Sequence, residues 1–187
     1  MSKKSLDRKA ATLFVIANRT IGKTDQEIYT LLAEQYYDKK AIILLITSTV
    51  TPENKKKYKT YNVLLLGLIG ITILFKILTI LFLSITTTNA LYLPFLIFLP
   101  ILNIYFFYEI NRYNGAMYRI LGLLTIAGIL QGFGFKREEG WVLTINLMLC
   151  IVVAGLAFYL DRNMVPDYRP NSLKKDVNGE YIIHPEP

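Results

Sequence analysis

The segment between Lys59 and Glu109 contains one charged side chain, that of Lys76, and this feature constrains the fold more than any other. Most of its other positions are apolar, and further apolar runs continue to about residue 160. Of the 187 residues, 19% are charged, and these are concentrated in residues 1–60 and 161–187. A soluble domain could not cover its surface with such a segment, because charged and polar side chains have to face the water. The sequence therefore predicts an integral membrane protein.

Four apolar runs within residues 55–160 are predicted to be transmembrane helices. An α-helix needs about 20 residues to cross the hydrocarbon core of a bilayer, and each run is close to that length. The runs are continuously apolar, whereas the strands of a membrane barrel alternate between apolar and polar residues. The predicted fold class is all-α: a polytopic membrane protein with four transmembrane helices and a small N-terminal cytoplasmic helical unit. The predicted spans cover about residues 61–85, 90–108, 115–135 and 141–160.

Residues 1–54 are predicted to form the cytoplasmic helical unit, with about three short helices. Ser5 or Asp7 is placed to open the first helix. Thr24 and Glu27 have the spacing of a capping box, in which each side chain bonds to the backbone N–H of the other residue. Asp38 can cap the third helix, whose core reads AIILLITSTV. That core is too short to span a bilayer, so it is predicted to be buried in the unit or packed on the membrane surface.

The net charge of +7 does not by itself indicate a nucleic-acid partner. Short successive helices are compatible with a helix-turn-helix unit, but a recognition helix presents polar and basic side chains to the base edges. The third helix of the N-terminal unit, with its core AIILLITSTV, presents no such side chains. The basic residues instead cluster beside the apolar runs, where lysine and arginine set the membrane orientation and meet anionic lipid. The lipid bilayer is therefore the expected partner, and binding to nucleic acid is not expected.

Basic residues at the ends of the predicted spans set the expected orientation. With the N-terminus inside, the inner side holds most of them, including Lys55, Lys56, Lys57 and Lys59. The outer side holds only Lys136 and Arg137, next to two glutamates. Lysine and arginine are enriched in short cytoplasmic loops, so both termini are predicted to be cytoplasmic. The richness in Ile, Lys, Asn and Tyr is typical of a low-GC bacterium, which makes a bacterial inner membrane the predicted location.

Residues 161–187 are predicted to form a flexible cytoplasmic tail. They contain four prolines together with many charges. A segment of this composition buries too little apolar surface to offset the conformational entropy that ordering would cost. Little regular structure is therefore expected in the tail.

Lys76 is the most informative polar residue, because it lies inside the first predicted span. A lysine near the centre of a membrane helix costs roughly 2.5–3.5 kcal/mol on insertion scales. Gln131 and Asn146 are predicted at a similar depth, and Asn103 lies deeper toward the inside. One hypothesis is that these residues form an intramembrane polar cluster that binds a solute, a lipid headgroup or an ion, or lines a wet cavity. The alternative is that the amides bond between helices while Lys76 reaches toward the headgroups.

Glycines in the third and fourth spans predict close helix packing. Gly128 and Gly132 form a GxxxG pattern, which lets two helix backbones approach closely. Gly122 extends this small surface on the third span, and Gly155 offers one on the fourth. Packing within the chain is the favoured interpretation, and dimerisation is the alternative.

The sequence contains no pattern that would identify an enzyme. The predicted spans contain no His, Asp or Glu, and no phosphate-binding glycine loop is present. No catalytic, cofactor-binding or metal-binding residue is therefore predicted. The favoured function is that of a membrane-anchored adaptor or accessory subunit, which binds a membrane or cytoplasmic protein. The chief alternative is an oligomeric channel or pore built around Lys76, and a third is a membrane effector, or its immunity partner, in bacterial conflict.

Overall fold

A computed structural model of the chain describes residues 4–86, 93–132, 140–166, 173–177 and 179–183. The described chain is mostly helical, so the all-α prediction is confirmed. It divides into two compact units, which we call the terminal unit (Met1–Tyr58 with Arg162–Pro187) and the central unit (Lys59–Asp161). The elements in chain order are α1 (Arg8–Thr20), α2 (Asp25–Gln35), α3 (Lys39–Ser48), α4 (Pro52–Lys57), α5 (Lys59–Thr86), α6 (Leu93–Asn111), α7 (Gly115–Gly132), α8 (Gly140–Met164), β1 (Lys174–Lys175) and β2 (Tyr181–Ile182).

The first three helices begin at side chains that accept the otherwise unpaired N–H groups of a helix start. For α1, Asp7 rather than Ser5 takes this role, accepting from the N–H groups of Lys9 and Ala10. The predicted capping box of α2 is confirmed. The Glu27 N–H donates to the Thr24 hydroxyl at 3.3 Å, and the Thr24 N–H donates to the Glu27 carboxylate at 2.8 Å. For α3, Asp38 accepts from the N–H of Ala41, as predicted.

The fourth helix, α4, was not predicted. Its start has the expected chemistry, because Thr51 caps it and Pro52 occupies the first turn, where proline costs no hydrogen bond. The predicted orientation residues Lys55, Lys56 and Lys57 form its last turn, and Lys59 begins α5. All four lysines are exposed.

Arg19 joins α1, α2 and α3 at one corner of the terminal unit. Its Nε and Nη2 atoms donate to the two carboxylate oxygens of Asp25, at 2.8 and 2.7 Å. Its Nη1 and Nη2 atoms also donate to the carbonyls of Thr49 and Ile46, at 2.5 and 3.0 Å. The Arg19 side chain is only 6% exposed and that of Asp25 is 16% exposed. The arginine therefore caps the end of α3 while it neutralises a largely buried carboxylate.

The tail contributes to the hydrophobic core of the terminal unit. We expected little regular structure there, but β1 and β2 form an antiparallel hairpin that pairs Lys174 with Ile182. Tyr181 and Ile183 are buried, and apolar residues of α1, α2 and α3 surround them. Burial of these two side chains supplies the stabilisation that the composition of the tail did not indicate. The members of this shared core include Val15, Ile28, Leu32, Ile42, Ile46, Tyr181 and Ile183.

The central unit contains, among its described residues, the helices α5 to α8. Two of these helices have stretches that are long and apolar enough to cross a membrane: Lys59–Leu78 and Thr144–Met164. The prediction of four spans is not confirmed, because the described apolar part of α7, Gly115–Ile129, is shorter. Length and composition alone support this assignment. The predicted links at residues 86–89 and 136–140 lie largely outside the described residues.

Candidate functional site

Lys76 lies on α5 and is half-buried within the central unit. Among the described residues it donates no hydrogen bond and forms no ion pair, and its electrostatic neighbour is Cys150 on α8. The Cys150 thiol lies 4.0 Å from the side-chain oxygen of Asn146, one helical turn away. Lys76 thus lies within electrostatic range of Cys150, and Asn146 lies beside Cys150 on α8. Asn146 itself is exposed.

The other two members of the predicted polar cluster are placed differently. Asn103 is half-buried on α6, and within the described part of the chain it makes no side-chain hydrogen bond to Lys76 or Asn146. Gln131 belongs to α7, but its side chain lies outside the described residues. The cluster of four therefore stays a prediction.

The predicted packing glycines have unequal surroundings. A Cβ atom added to Gly122 would lie 2.8 Å from the ring of Phe158 on α8, so α7 and α8 approach each other closely at this point. Added at Gly128 or Gly155, it would meet nothing within 4 Å among the described residues. Gly132 is the last residue of α7, and its surroundings lie outside the described part of the structure. Close helix contact is thus seen at Gly122.

A buried amide connects three helices of the central unit. Asn62 of α5 is 1% exposed; its Oδ1 atom accepts a hydrogen bond of 2.7 Å from the Tyr118 hydroxyl of α7. Its Nδ2 atom donates to the carbonyl of Ile110 on α6, at 3.4 Å. A polar group inside a helix bundle is costly unless it is hydrogen-bonded, and here both ends of the amide are used. Asn62 is therefore an interhelical connector rather than a free binding group.

An ion pair connects α8 to α7. Arg119 of α7 donates from Nε to Asp161 of α8 at 3.0 Å, and the Asp161 carboxylate is 8% exposed. We predicted that the fourth span ends near Leu160, with Asp161 opening the tail, but α8 continues to Met164. Ala157, Leu160, Asp161 and Met164 are all buried. Their helical spacing was the available signal that the helix continues past the charged residue.

Polar contacts in the terminal unit attach the tail to α2. The Gln26 side chain accepts from the Ile183 N–H at 2.6 Å and donates to the Tyr181 carbonyl at 3.3 Å. The Tyr29 hydroxyl donates to the Glu180 carboxylate at 2.7 Å, and Glu180 also pairs with Lys39. We call these contacts the tail clasp. No pattern in the sequence predicted it, because its two halves are separated by about 150 residues.

Titration of Tyr29 should weaken the tail clasp in base. Burial and the hydrogen bond to Glu180 raise the pKa of Tyr29 from 10.0 to about 12. The raised pKa means that the protonated tyrosine stabilises the fold fully below pH 10, and that this contribution is lost as the pH rises through about 12. A dye on Val177→Cys, in a Cys150→Ser background, should therefore gain mobility between these pH values, seen as falling fluorescence anisotropy.

The matched control for this titration is Tyr29→Phe, which lacks the hydroxyl. The two proteins differ only in this hydroxyl, so the difference between the two anisotropy curves isolates the tyrosine. Identical curves for the two proteins would contradict a role for Tyr29 in holding the tail.

Among the described residues, no group of three or more His, Cys, Asp or Glu side chains is placed to hold a metal ion. The polar side chains that join the helices of the central unit bond to one another or to backbone. They are Asn62, Tyr118, Arg119 and Asp161. No family model matches the chain, and no curated protein or solved structure is significantly similar to it.

Proposed function

We propose that this chain is a small integral membrane protein whose terminal unit works outside the bilayer as an adaptor or accessory subunit. The observation that carries the proposal is that both chain ends build one hydrophobic core. Tyr181 and Ile183 from the tail are buried with the residues of α1, α2 and α3. The terminal unit thus has a folded body of its own, which an adaptor needs in order to present a fixed surface.

The surface of the central unit supports membrane insertion. The two long apolar stretches in α5 and α8 have only 22% and 28% of their residues buried. A core helix of a soluble protein would be mostly buried. Large apolar side chains are exposed on each of the four helices, for example Leu74, Ile101, Leu123 and Ile151, while Asn62 and Asp161 are buried. An apolar exterior, with polar groups such as Asn62 and Asp161 buried, suits lipid as the surrounding solvent.

The shared core also constrains the membrane topology. One compact unit cannot lie on both sides of a bilayer, so both chain ends are expected on the same side. The number of spans is then even. Four spans, formed by α5, α6, α7 and α8, would cover all the apolar helices. The lysines around Tyr58 favour the cytoplasmic side for the terminal unit, in a bacterial inner membrane.

The exposed side of α3 is the surface that best fits a protein partner. Leu44 is 45% exposed, and Tyr37, just before the helix, is 63% exposed. Tyrosine is enriched where interfaces concentrate their binding energy, and an exposed large aliphatic side chain on the same unit adds apolar contact area. The test is to purify the full chain from its native membrane in mild detergent and to measure the mass of the complex. A single partner at fixed stoichiometry is expected.

Two point variants test whether the partner binds at the exposed side of α3. Leu44→Glu places a charge at an exposed position, so the fold should persist while capture of the partner falls about tenfold, equivalent to about 1.4 kcal/mol. Gln35→Glu adds the same charge at an exposed position of α2 and should leave capture unchanged. A symmetric homo-oligomer that passes ions in liposomes, with flux abolished by Lys76→Leu, would instead favour the channel alternative.

A further inference from the structure

The exposed face of α1 carries apolar side chains that the terminal unit leaves uncovered. Ala11 and Val15 face the core. On the opposite side Leu13 is 62% exposed and Ile16 is 39% exposed, and Ile21, just beyond the helix, is 72% exposed. Leu13 and Ile16 are three positions apart and lie on the side of α1 opposite Ala11 and Val15, whereas Ile21 lies past the helix end. A small unit that can bury apolar side chains in its own core gains nothing from exposing three large ones together, so a ligand for this face is to be expected.

Basic residues lie at both ends of this face, and Glu27, the acid near Lys23, is bonded to Thr24 in the capping box of α2. Arg8 and Lys9 lie at the start of α1, and Lys23 follows Ile21 at its end; all three are exposed. The helix contains no acidic residue. The side chain of Asp7, at the helix start, is occupied by N–H groups of α1. The face is thus an apolar strip with cations at both ends.

We propose that this face of α1 docks onto the anionic headgroup surface of the membrane, with Leu13, Ile16 and Ile21 inserted among the lipids. Apolar side chains flanked by lysine and arginine are the pattern by which helices lie in a bilayer interface. The inference rests on the proposed membrane insertion, because Tyr58 ends the terminal unit and α5, a candidate span, begins at the next residue. A short tether of this kind keeps the local concentration of the face at the bilayer high, so that weak individual contacts suffice.

The experiment uses the full chain in liposomes, in a Cys150→Ser background that removes the one natural cysteine. A fluorescent probe on Leu13→Cys reports depth through quenching by nitroxide-labelled lipids. The matched control is the same probe on Glu34→Cys, an exposed position of α2. In vesicles containing phosphatidylglycerol, strong quenching is expected at position 13 and little at position 34. In vesicles of phosphatidylcholine alone, quenching at position 13 should fall.

Charge variants and salt test the electrostatic part of the docking. Neutralising Arg8, Lys9 or Lys23 to Gln should lower the ratio of docked to free probe about fivefold for each residue, equivalent to about 1 kcal/mol per basic side chain near an anionic surface. Raising the salt to 1 M shortens the screening length to about 3 Å and should act in the same direction.

The outcomes separate this inference from the proposed function. If the chain resists alkaline extraction but the probes at positions 13 and 34 are quenched equally, the docking is overturned and membrane insertion stands. If alkali extracts the chain, both are overturned. Protection of position 13 that grows with protein density, without lipid quenching, would overturn lipid docking in favour of a protein occupant.

Discussion

Replacing Arg19 by methionine is expected to lower the free energy of unfolding of the terminal unit by about 3–5 kcal/mol, the usual cost of removing one partner from a buried ion pair. The substitution leaves the Asp25 carboxylate, which is 16% exposed, without its cation. It also removes the guanidinium N–H groups that donate to the carbonyls of Thr49 and Ile46 at the end of α3. The measurement is hydrogen–deuterium exchange of the amides of α1, α2 and α3 in the full chain, which should accelerate by orders of magnitude.

Three further variants make the Arg19 prediction specific. Arg8→Met removes an exposed arginine from the same helix and should change stability by no more than about 0.5 kcal/mol. Arg19→Lys should recover only part of the loss, because an ammonium group cannot donate in the planar, two-pronged geometry of a guanidinium. Adding Asp25→Leu to Arg19→Met should restore stability in part, since no unpaired charge then remains. If the Arg19→Met protein unfolds no more readily than the Arg8→Met protein, the contacts of Arg19 with α2 and α3 do not hold the three helices together.

Cysteines placed at Glu34 and Val177 are expected to react with a membrane-impermeant maleimide from the same side of the membrane. Glu34 lies on α2 and Val177 in the tail, and both are exposed positions of the terminal unit. Because one folded core contains both segments, the result should be all or none: both react from one face of a sealed membrane and neither from the other. The Cys150→Ser background again removes the natural thiol.

A third cysteine distinguishes four spans from two. Asn111 ends α6 and is exposed. With four spans, Asn111→Cys reacts from the same side as the terminal unit. With only α5 and α8 across the bilayer, it reacts from the opposite side. A permeant maleimide should label all three positions and verifies that each is reactive. Labelling of Glu34→Cys and Val177→Cys from opposite sides would rule out an even number of spans and, with it, a shared core in the membrane.

The starts of the short helices could be predicted because their signals are local. Thr24, Glu27 and Asp38 act on backbone groups within three residues of themselves, and the structure has the bonds that their spacing implied. The end of α1 was equally local: Gly22 follows the helix with a φ of +83°, a conformation that glycine adopts without strain. Side chains that contact their own helix need no knowledge of the rest of the fold.

The candidate polar groups were predicted less completely. The cost of a lysine in an apolar segment drew attention to Lys76, but its neighbour Cys150 is an unremarkable residue of an apolar run and gave no signal by itself. Asn62, which bonds to two other helices of the central unit, was not singled out, because its partners Tyr118 and Ile110 lie on those helices. Which amides meet depends on how helices rotate against one another, and a single sequence does not encode that rotation locally.

The sequence by itself determined that the chain is helical, where the short helices start, and that its middle is too apolar for a soluble surface. These properties depend on composition and on contacts over a few residues. Only the tertiary structure decided that the tail belongs to the N-terminal helices and that Asp161 is buried in a helix. The contact between Gln26 and Ile183 spans 157 residues. Such a pairing depends on the shape of a core that forms only when distant segments meet, and neither segment specifies it alone.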